Sequence, residues 1–269
     1  MNKYFNEQST ILLTGASSGI GKNLATILIK KYGAKVIGVA RSEDKLSKVK
    51  KELGENFTYL TFDVSLEESW QALYKHLTDN KIHLTGIINS AGVLPEFSSF
   101  NGEYFEQNKN VININYLSVV YSAKYILPVI KNQPKPTMIN VSSSSSLCPF
   151  QGISLYSSTK AAVTRFSECI AYENKNVNVV TVMPGFTKTE VMRNQSINQK
   201  EKGLIDKISA NPIKVAKKIL RKASKGKKRV ITGFDAHLMN FLYKFFPTLA
   251  PRLIGWFLRK SKMKVFEKI

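Results

Sequence analysis

The chain is short of acids, cysteine and histidine, and it holds no long apolar run. Its two cysteines, Cys148 and Cys169, have no framework spacing, so a disulfide scaffold is excluded and a reducing, cytoplasmic setting is expected. The three histidines (His76, His83 and His237) are scattered without a cysteine or carboxylate pattern, and no metal site is expected. Nowhere are there the ~18 consecutive apolar residues of a membrane span. The opening MNKYFNEQSTILLTG has neither an apolar core nor a cleavage-like segment. A soluble or peripheral protein is expected. Acids number 19 against 40 Lys and Arg, a net charge of +21. The imbalance is local, because residues 200–269 carry 19 basic residues against Glu201, Asp206, Asp235 and Glu267. Anionic lipid, nucleic acid and acidic substrates are all compatible with that charge. Nucleic acid has no other support and is not expected.

What is present is a core-forming pattern, with 43% hydrophobic residues. Short apolar segments (TILLTG, KVIGVA, FTYLTFDV, LTGIINSAG, TMINVS, NVNVVTVMPG and RVITG) alternate with helical ones. Gly33 ends the first helix, Ser65 and Glu68 make a capping box for the third, and one long helix is expected over 108–132. Asn211 and Pro212 cap IKVAKKILRKAS. Nearly continuous apolar strands separated by helices predict an α/β, Rossmann-like, doubly wound parallel sheet of about seven strands. It forms a single domain over 1–233, followed by a basic amphipathic extension over 234–269.

The segment TGASSGIG joins the first strand to the first helix and spaces Gly15, Gly19 and Gly21 as G-x3-G-x-G. Glycine there lets backbone approach a pyrophosphate lying against a helix N-terminus. Thr14, Gly15, Ser17, Ser18, Gly19, Ile20 and Gly21 are the expected dinucleotide contacts. A site preferring NAD usually places an acid about 20 residues on, at the end of the second strand. Here the chain reads Val39-Ala40-Arg41, and a guanidinium suits a 2′-phosphate, so NADP(H) is favoured over NAD(H).

The stretch VSSSSSLCPFQGISLYSSTKAA has the composition of a linker, yet a strand leads into it and a helical pattern follows. Tyr156 and Lys160 stand four apart on that helix and share a face. A free phenol titrates near ~10, and a neighbouring ammonium would lower that value toward neutrality. Ser143 lies thirteen residues upstream at the strand's carboxyl end, where its hydroxyl can bond a reacting oxygen; Ser142 and Ser144 are the alternative registers.

From about residue 9 to 233 the chain resembles the short-chain dehydrogenase/reductase family. The motifs are Thr14-Gly15-x3-Gly19-x-Gly21, Asp63-Val64, Asn89-Ser90-Ala91-Gly92, Asn115, Ser143, Tyr156-x3-Lys160, and Pro184-Gly185 with Thr189. Ser90 departs mildly, since the family more often has a second asparagine there. The resemblance implies hydride transfer between NADP(H) and a carbonyl or alcohol carbon, with Asn115, Ser143, Tyr156 and Lys160 as the catalytic tetrad. It also implies that Lys160 holds the nicotinamide ribose and that Asn115 holds a relay water. Asp63 and Val64 would meet the adenine, and Asn89, Ala91 and Gly92 would steady the cofactor. Pro184, Gly185 and Thr187 are further contacts, with Thr189 at the carboxamide. The alternative is a catalytically silent NADP-binding sensor. Cys148 is expected to fill space.

Residues 186–205 fall where the family places a variable substrate lid, and they name no ligand. The helices over 108–132 and 156–174 resemble the family's dimer seam, so a homodimer or homotetramer is expected. In the extension, Leu238, Phe241, Leu242 and Phe245 make one apolar stripe and Leu253 to Leu258 a second, ringed by Lys244, Arg252, Arg259, Lys260, Lys262 and Lys264. Two placements stay open, an anionic membrane surface or packing on the domain, a sister subunit or the pocket. Either favours an apolar substrate.

Overall fold

The computed structural model describes residues 4–189, 201, 203, 205–206, 209–261 and 263–268. Seven strands, β1 (Thr10–Thr14), β2 (Lys35–Ala40), β3 (Phe57–Thr61), β4 (Gly86–Asn89), β5 (Thr137–Val141), β6 (Asn178–Pro184) and β7 (Arg229–Thr232), form one parallel sheet. Their order is β3-β2-β1-β4-β5-β6-β7. Alternate strand residues feed opposite faces, as a two-residue period requires. Ile11 and Leu13 join a core with helices α1 (Gly19–Tyr32), α2 (Glu43–Leu53) and α7 (Pro212–Ala223). Leu12 joins the other core with α3 (Glu67–Asp79), α5 (Ser118–Ile130) and α6 (Ser154–Glu173). The sheet is therefore covered on both sides. The strand order reverses between β1 and β4, and the crevice beyond their carboxyl ends is where such sheets bind ligands.

Two local expectations are corrected. The Ser65–Glu68 capping box does not form: α3 begins at Glu67 after Leu66, with no side-chain cap. Ser65 instead donates its hydroxyl to Asp63 Oδ1 at 2.7 Å and its amide to the same oxygen at 2.9 Å. A carboxylate two residues away is the stronger acceptor. The long helix expected over 108–132 is not uniform: helical backbone follows α4 (Gly102–Asn108) through Asn110–Ile112, widens to a π-helical turn at Asn113–Leu117, and continues without a break as α5. Asn115, at the centre of the π-turn, is fully buried and spends its side-chain amide on the Val93 backbone. Pairing a buried amide with a distant strand loop favours this local widening.

After β7 the chain forms two short helices, α8 (Phe234–Phe245) and α9 (Leu249–Lys260). Their inner residues Met239, Ala250 and Leu258 pack, with Phe266, against Phe97, Cys148, Phe150 and Ile153 of the main body. Gly255 lies where any side chain would collide with Gln151, whose Oε1 accepts from Arg259 Nη1 at 2.9 Å. The absence of a Cβ lets α9 rest on the loop that follows β5.

Candidate active site

A cleft of about 490 Å³ runs across the carboxyl ends of β1, β4, β5 and β6. Gly15 and Gly19 adopt left-handed φ of 68° and 54°, and a Cβ on Gly15 would press on the Ala91 backbone at 2.9 Å. α1 opens at Gly19 with no side-chain cap from Ser18 and no acid in its first turn. Its first residues, Gly19, Ile20 and Gly21, line the cleft with Gly15, Ser17 and Ser18. Uncapped amides at a positive helix end, with no side chain in between, fit a phosphate. Arg41, exposed, stands at the rim beside Ser42 and Lys45. Asp63 and Val64 line the same end, with Asp63 Oδ1 held by Ser65.

Two predicted contacts face elsewhere. Thr14 is buried, and its hydroxyl oxygen accepts from the Ser90 and Ala91 amides, each at 3.1 Å, tying β1 to the loop after β4. Asn89 donates to Ser122 Oγ at 2.7 Å and Asn140 Oδ1 at 2.8 Å, inside the core. Neither lines the cleft. Ala91 and Gly92 do, and a Cβ on Gly92 would lie 3.2 Å from both Asn115 Oδ1 and Lys160 Nζ.

At the centre, Ser143 is extended and its oxygen accepts from the Ser145 amide at 3.2 Å. Ser143 and Tyr156 both line the cleft, and Ser143 partly opposes the upward push that burial gives the phenol. Ser142 instead bonds the Lys160 carbonyl at 2.7 Å and Thr164 Oγ1 at 2.8 Å, so its hydroxyl is committed. Lys160 is 4% exposed; its Nζ donates to the Val141 carbonyl at 3.1 Å and lies 5.8 Å from the Tyr156 ring centroid. The expected lowering of the phenol pKa by this lysine is not what the structure shows. Burial pushes the Tyr156 phenol up, with Ser143 only partly opposing it, and pushes the Lys160 ammonium down to about 8. Desolvation disfavours phenolate and ammonium alike. Asn115 accepts from the Val93 amide at 2.8 Å and donates to the Val93 carbonyl at 2.9 Å, so its side chain braces the loop beside Lys160.

Pro184, Gly185, Thr187 and Thr189 line the remaining side, with Thr189 over Gly19 and the Thr187 hydroxyl donating to the Gly185 carbonyl at 2.9 Å. Most of the expected lid lies outside the described residues, which include only its start (Phe186 to Thr189) and Glu201, Gly203 and Ile205.

Sequence reasoning missed the apolar wall. Phe97, Phe150 and Phe186 line the cleft and meet edge to face, Phe150 lying 6.0 Å from each of the others. Phe186 directly follows the motif pair Pro184-Gly185, whereas Phe97 and Phe150 lie outside any motif. Asp235 was also missed. It accepts from the Phe186 amide at 2.7 Å and occupies the space that side chains on Gly185 and Gly233 would need. Its partner is 49 residues away, and no local pattern announces it. Among the described residues, no group of three His, Cys, Asp or Glu could hold a metal.

The fold and the cleft define a doubly wound α/β domain in which a glycine loop, a serine, a tyrosine and a lysine meet at the carboxyl edge of one parallel sheet. A family profile described as short chain dehydrogenase matches residues 9–200, and the chain belongs to that family. It is 31% identical over 192 residues to the very-long-chain 3-oxoacyl-CoA reductase of Rattus norvegicus, a match covering 68% of this chain and 60% of that protein. The match thus spans about three fifths of that relative's length. It is 32% identical over 192 residues to a benzil reductase ((S)-benzoin forming) of Saccharomyces cerevisiae, covering 68% of this chain and 73% of that one. A short chain dehydrogenase of Burkholderia cenocepacia, solved in complex with NADP, has a similar fold. Its TM-score is 0.78 at 21% identity, covering 94% of this chain and 99% of that one.

Proposed function

We propose that the protein is an NADP(H)-dependent carbonyl reductase acting on an apolar small molecule. The observation that carries this reading is a cleft in which an uncapped helix end and its glycine loop adjoin half-buried Ser143 and Tyr156 and the buried Lys160. The residues fit the cofactor. The loop Gly15–Gly21 would hold the pyrophosphate, Arg41 the ribose phosphate, and Asp63 with Val64 the adenine. Lys160, Gly92 and the segment Pro184–Thr189 would hold the nicotinamide end. When bound, the nicotinamide supplies hydride to a carbonyl carbon. Ser143 donates a hydrogen bond to the carbonyl oxygen. Tyr156, whose phenol burial pushes upward, gives that oxygen its proton as the carbon becomes an alcohol carbon. The Lys160 ammonium stabilises the phenolate left behind.

The reductive direction is supported by relatives named as reductases. An apolar substrate is supported by the wall of Phe97, Phe150 and Phe186. Preference for NADP(H) is supported by Arg41 and by the structural relative solved with NADP. Oxidation of NADPH should be followed against a panel of apolar ketones, aldehydes and 3-ketoacyl thioesters; no turnover with any of them would overturn the reading. Exchange of Arg41→Asp should shift the NADPH/NADH ratio of kcat/KM by about 10–100-fold toward NADH, as expected when a charge-assisted contact becomes repulsive. Equal use of both cofactors by the unaltered chain would refute the preference. A homodimer or homotetramer is also proposed, supported by the resemblance of its α5 and α6 segments to the family seam. Tyr172 on α6, 76% exposed, is a candidate for that seam. A monomeric mass by light scattering would exclude it.

A further inference from the structure

Exposed large hydrophobic side chains are concentrated in one place. Of fifteen such residues among the described ones, nine lie between Phe234 and Phe257, on α8, α9 and their junction. The inner residues of this hairpin are already used against the main body, so the outer ones are a second apolar face. Phe241, Phe245, Trp256 and Phe257 are each more than half exposed. Lys244 lies 5.6 Å from the Phe245 ring and Lys260 4.6 Å from the Trp256 ring, and Arg252 is exposed on α9. Segment 234–269 holds seven basic residues against Asp235 and Glu267, and Asp235 is engaged by the Phe186 amide.

We infer that the outer face of the α8–α9 hairpin docks on an anionic phospholipid surface. Each helix has 12 residues, a length of about 18 Å, against the ~30 Å hydrocarbon core. No described helix is long and apolar enough to cross a membrane. Such helices lie in the interface plane, with aromatics inserted and cations among the headgroups. Charge selects the occupant. A symmetric contact with a second copy would set the same cationic patch against itself, whereas acidic headgroups complement it. Because the hairpin's inner face backs Phe97 and Phe150, docking would place the aromatic wall about one helix diameter, ~10–12 Å, from lipid. An apolar substrate would then reach the cleft from the bilayer side, a consequence that rests on the proposed carbonyl reductase activity.

The test uses the full chain with vesicles of phosphatidylcholine, with and without phosphatidylserine, across a salt series. Co-sedimentation with the phosphatidylserine vesicles is expected, falling as salt rises. Trp256 emission should shift to the blue, a change lost in Trp256→Phe while sedimentation persists. Neutralising Arg252→Gln with Lys260→Gln should weaken partitioning roughly thirtyfold, and Trp256→Ser with Phe257→Ser should abolish it. All these residues are exposed, and an unchanged Tm and NADPH affinity would confirm folding. Equal binding to pure phosphatidylcholine, or duplex DNA binding of similar strength, would overturn the proposal. So would absence of vesicle binding with a dimer that Trp256→Ser and Phe257→Ser convert to monomer. Vesicle binding is read without catalysis, so failure of the reductase reading would leave this result interpretable.

Discussion

Two buried polar clusters are built on the same strands and helix. In one, Asn89 on β4 donates to Ser122 and Asn140, and Asn140 on β5 donates to Ser167 on α6 at 2.9 Å. Each group is neutral and its hydrogen bonds are spent on protein partners. In the other, Ser143 follows β5 while Tyr156 and Lys160 stand on the first turns of α6. Here an ammonium is buried and a phenol half-buried, and each is pushed toward its neutral form. Both clusters sit near the carboxyl ends of the strands. The first joins β4, β5 and α6; the second keeps ionisable groups at a cavity, where their proton affinities are displaced from ordinary values. Neutral, fully paired polar groups specify structure, whereas buried ionisable ones mark sites of chemistry.

That contrast is sharpest at Tyr156. Exchange of Tyr156→Phe should lower turnover by about a thousandfold or more while NADPH still binds and Tm changes little, since only the proton donor is removed. Stopped-flow NADPH oxidation and calorimetry check both halves; appreciable residual turnover would move the acid elsewhere. In the paired cluster the reverse is expected. Asn140→Leu removes one hydrogen bond each from the Asn89 amide and the Ser167 hydroxyl, and should cost about 2–4 kcal/mol in denaturant unfolding. A loss below 1 kcal/mol would mean the network is not structurally required.

Lys160 separates the two roles within one residue. Its ammonium titrates at about 8 in the folded chain and at 10.5 unfolded, so below pH 8 both states are charged and the folded state bears the full desolvation cost. Stability should therefore rise as pH increases from about 8 toward 10.5. Lys160→Met should raise cofactor-free stability by roughly 1–3 kcal/mol at pH 7 while turnover is lost, and the gain should shrink above pH 8. A gain independent of pH would mean that packing, and not charge burial, sets it. The smallest effect is expected at Ser145, whose buried hydroxyl oxygen has no hydrogen-bond partner. Ser145→Ala should be neutral or stabilise by up to about 1 kcal/mol, with turnover retained. The neighbouring Ser143→Ala should lose about a hundredfold in turnover. If Ser145→Ala proved the more damaging, Ser143 would not be the working serine.

The extension repeats the lesson at larger scale. Its apolar stripe was legible in the spacing of Leu238, Phe241, Leu242 and Phe245, but spacing alone does not say which members face inward. Leu242 packs against the main body, while Phe241 and Phe245 face outward. Asp235 has no legible role in sequence because its partner is the amide of Phe186, brought near by β6 and β7 pairing in parallel. The capping box at Ser65 was legible and absent, because Asp63 offered a closer charged acceptor.

What the order of residues determined by itself is whatever depends on short-range periodicity. The apolar strands feed two cores, Gly15 and Gly19 supply left-handed turns, and Tyr156 and Lys160 share a helical face because four residues make about one turn. What only the tertiary structure decided is which polar groups end in the core and which in the cleft. Thr14 and Asn89 belong to the same motifs as Gly15 and Gly92, yet their side chains bind protein and turn from the cavity. The direction of the phenol and ammonium shifts was decided there too. Both outcomes depend on how much water is excluded by segments far apart in the chain, a property of the packed volume that no local spacing carries.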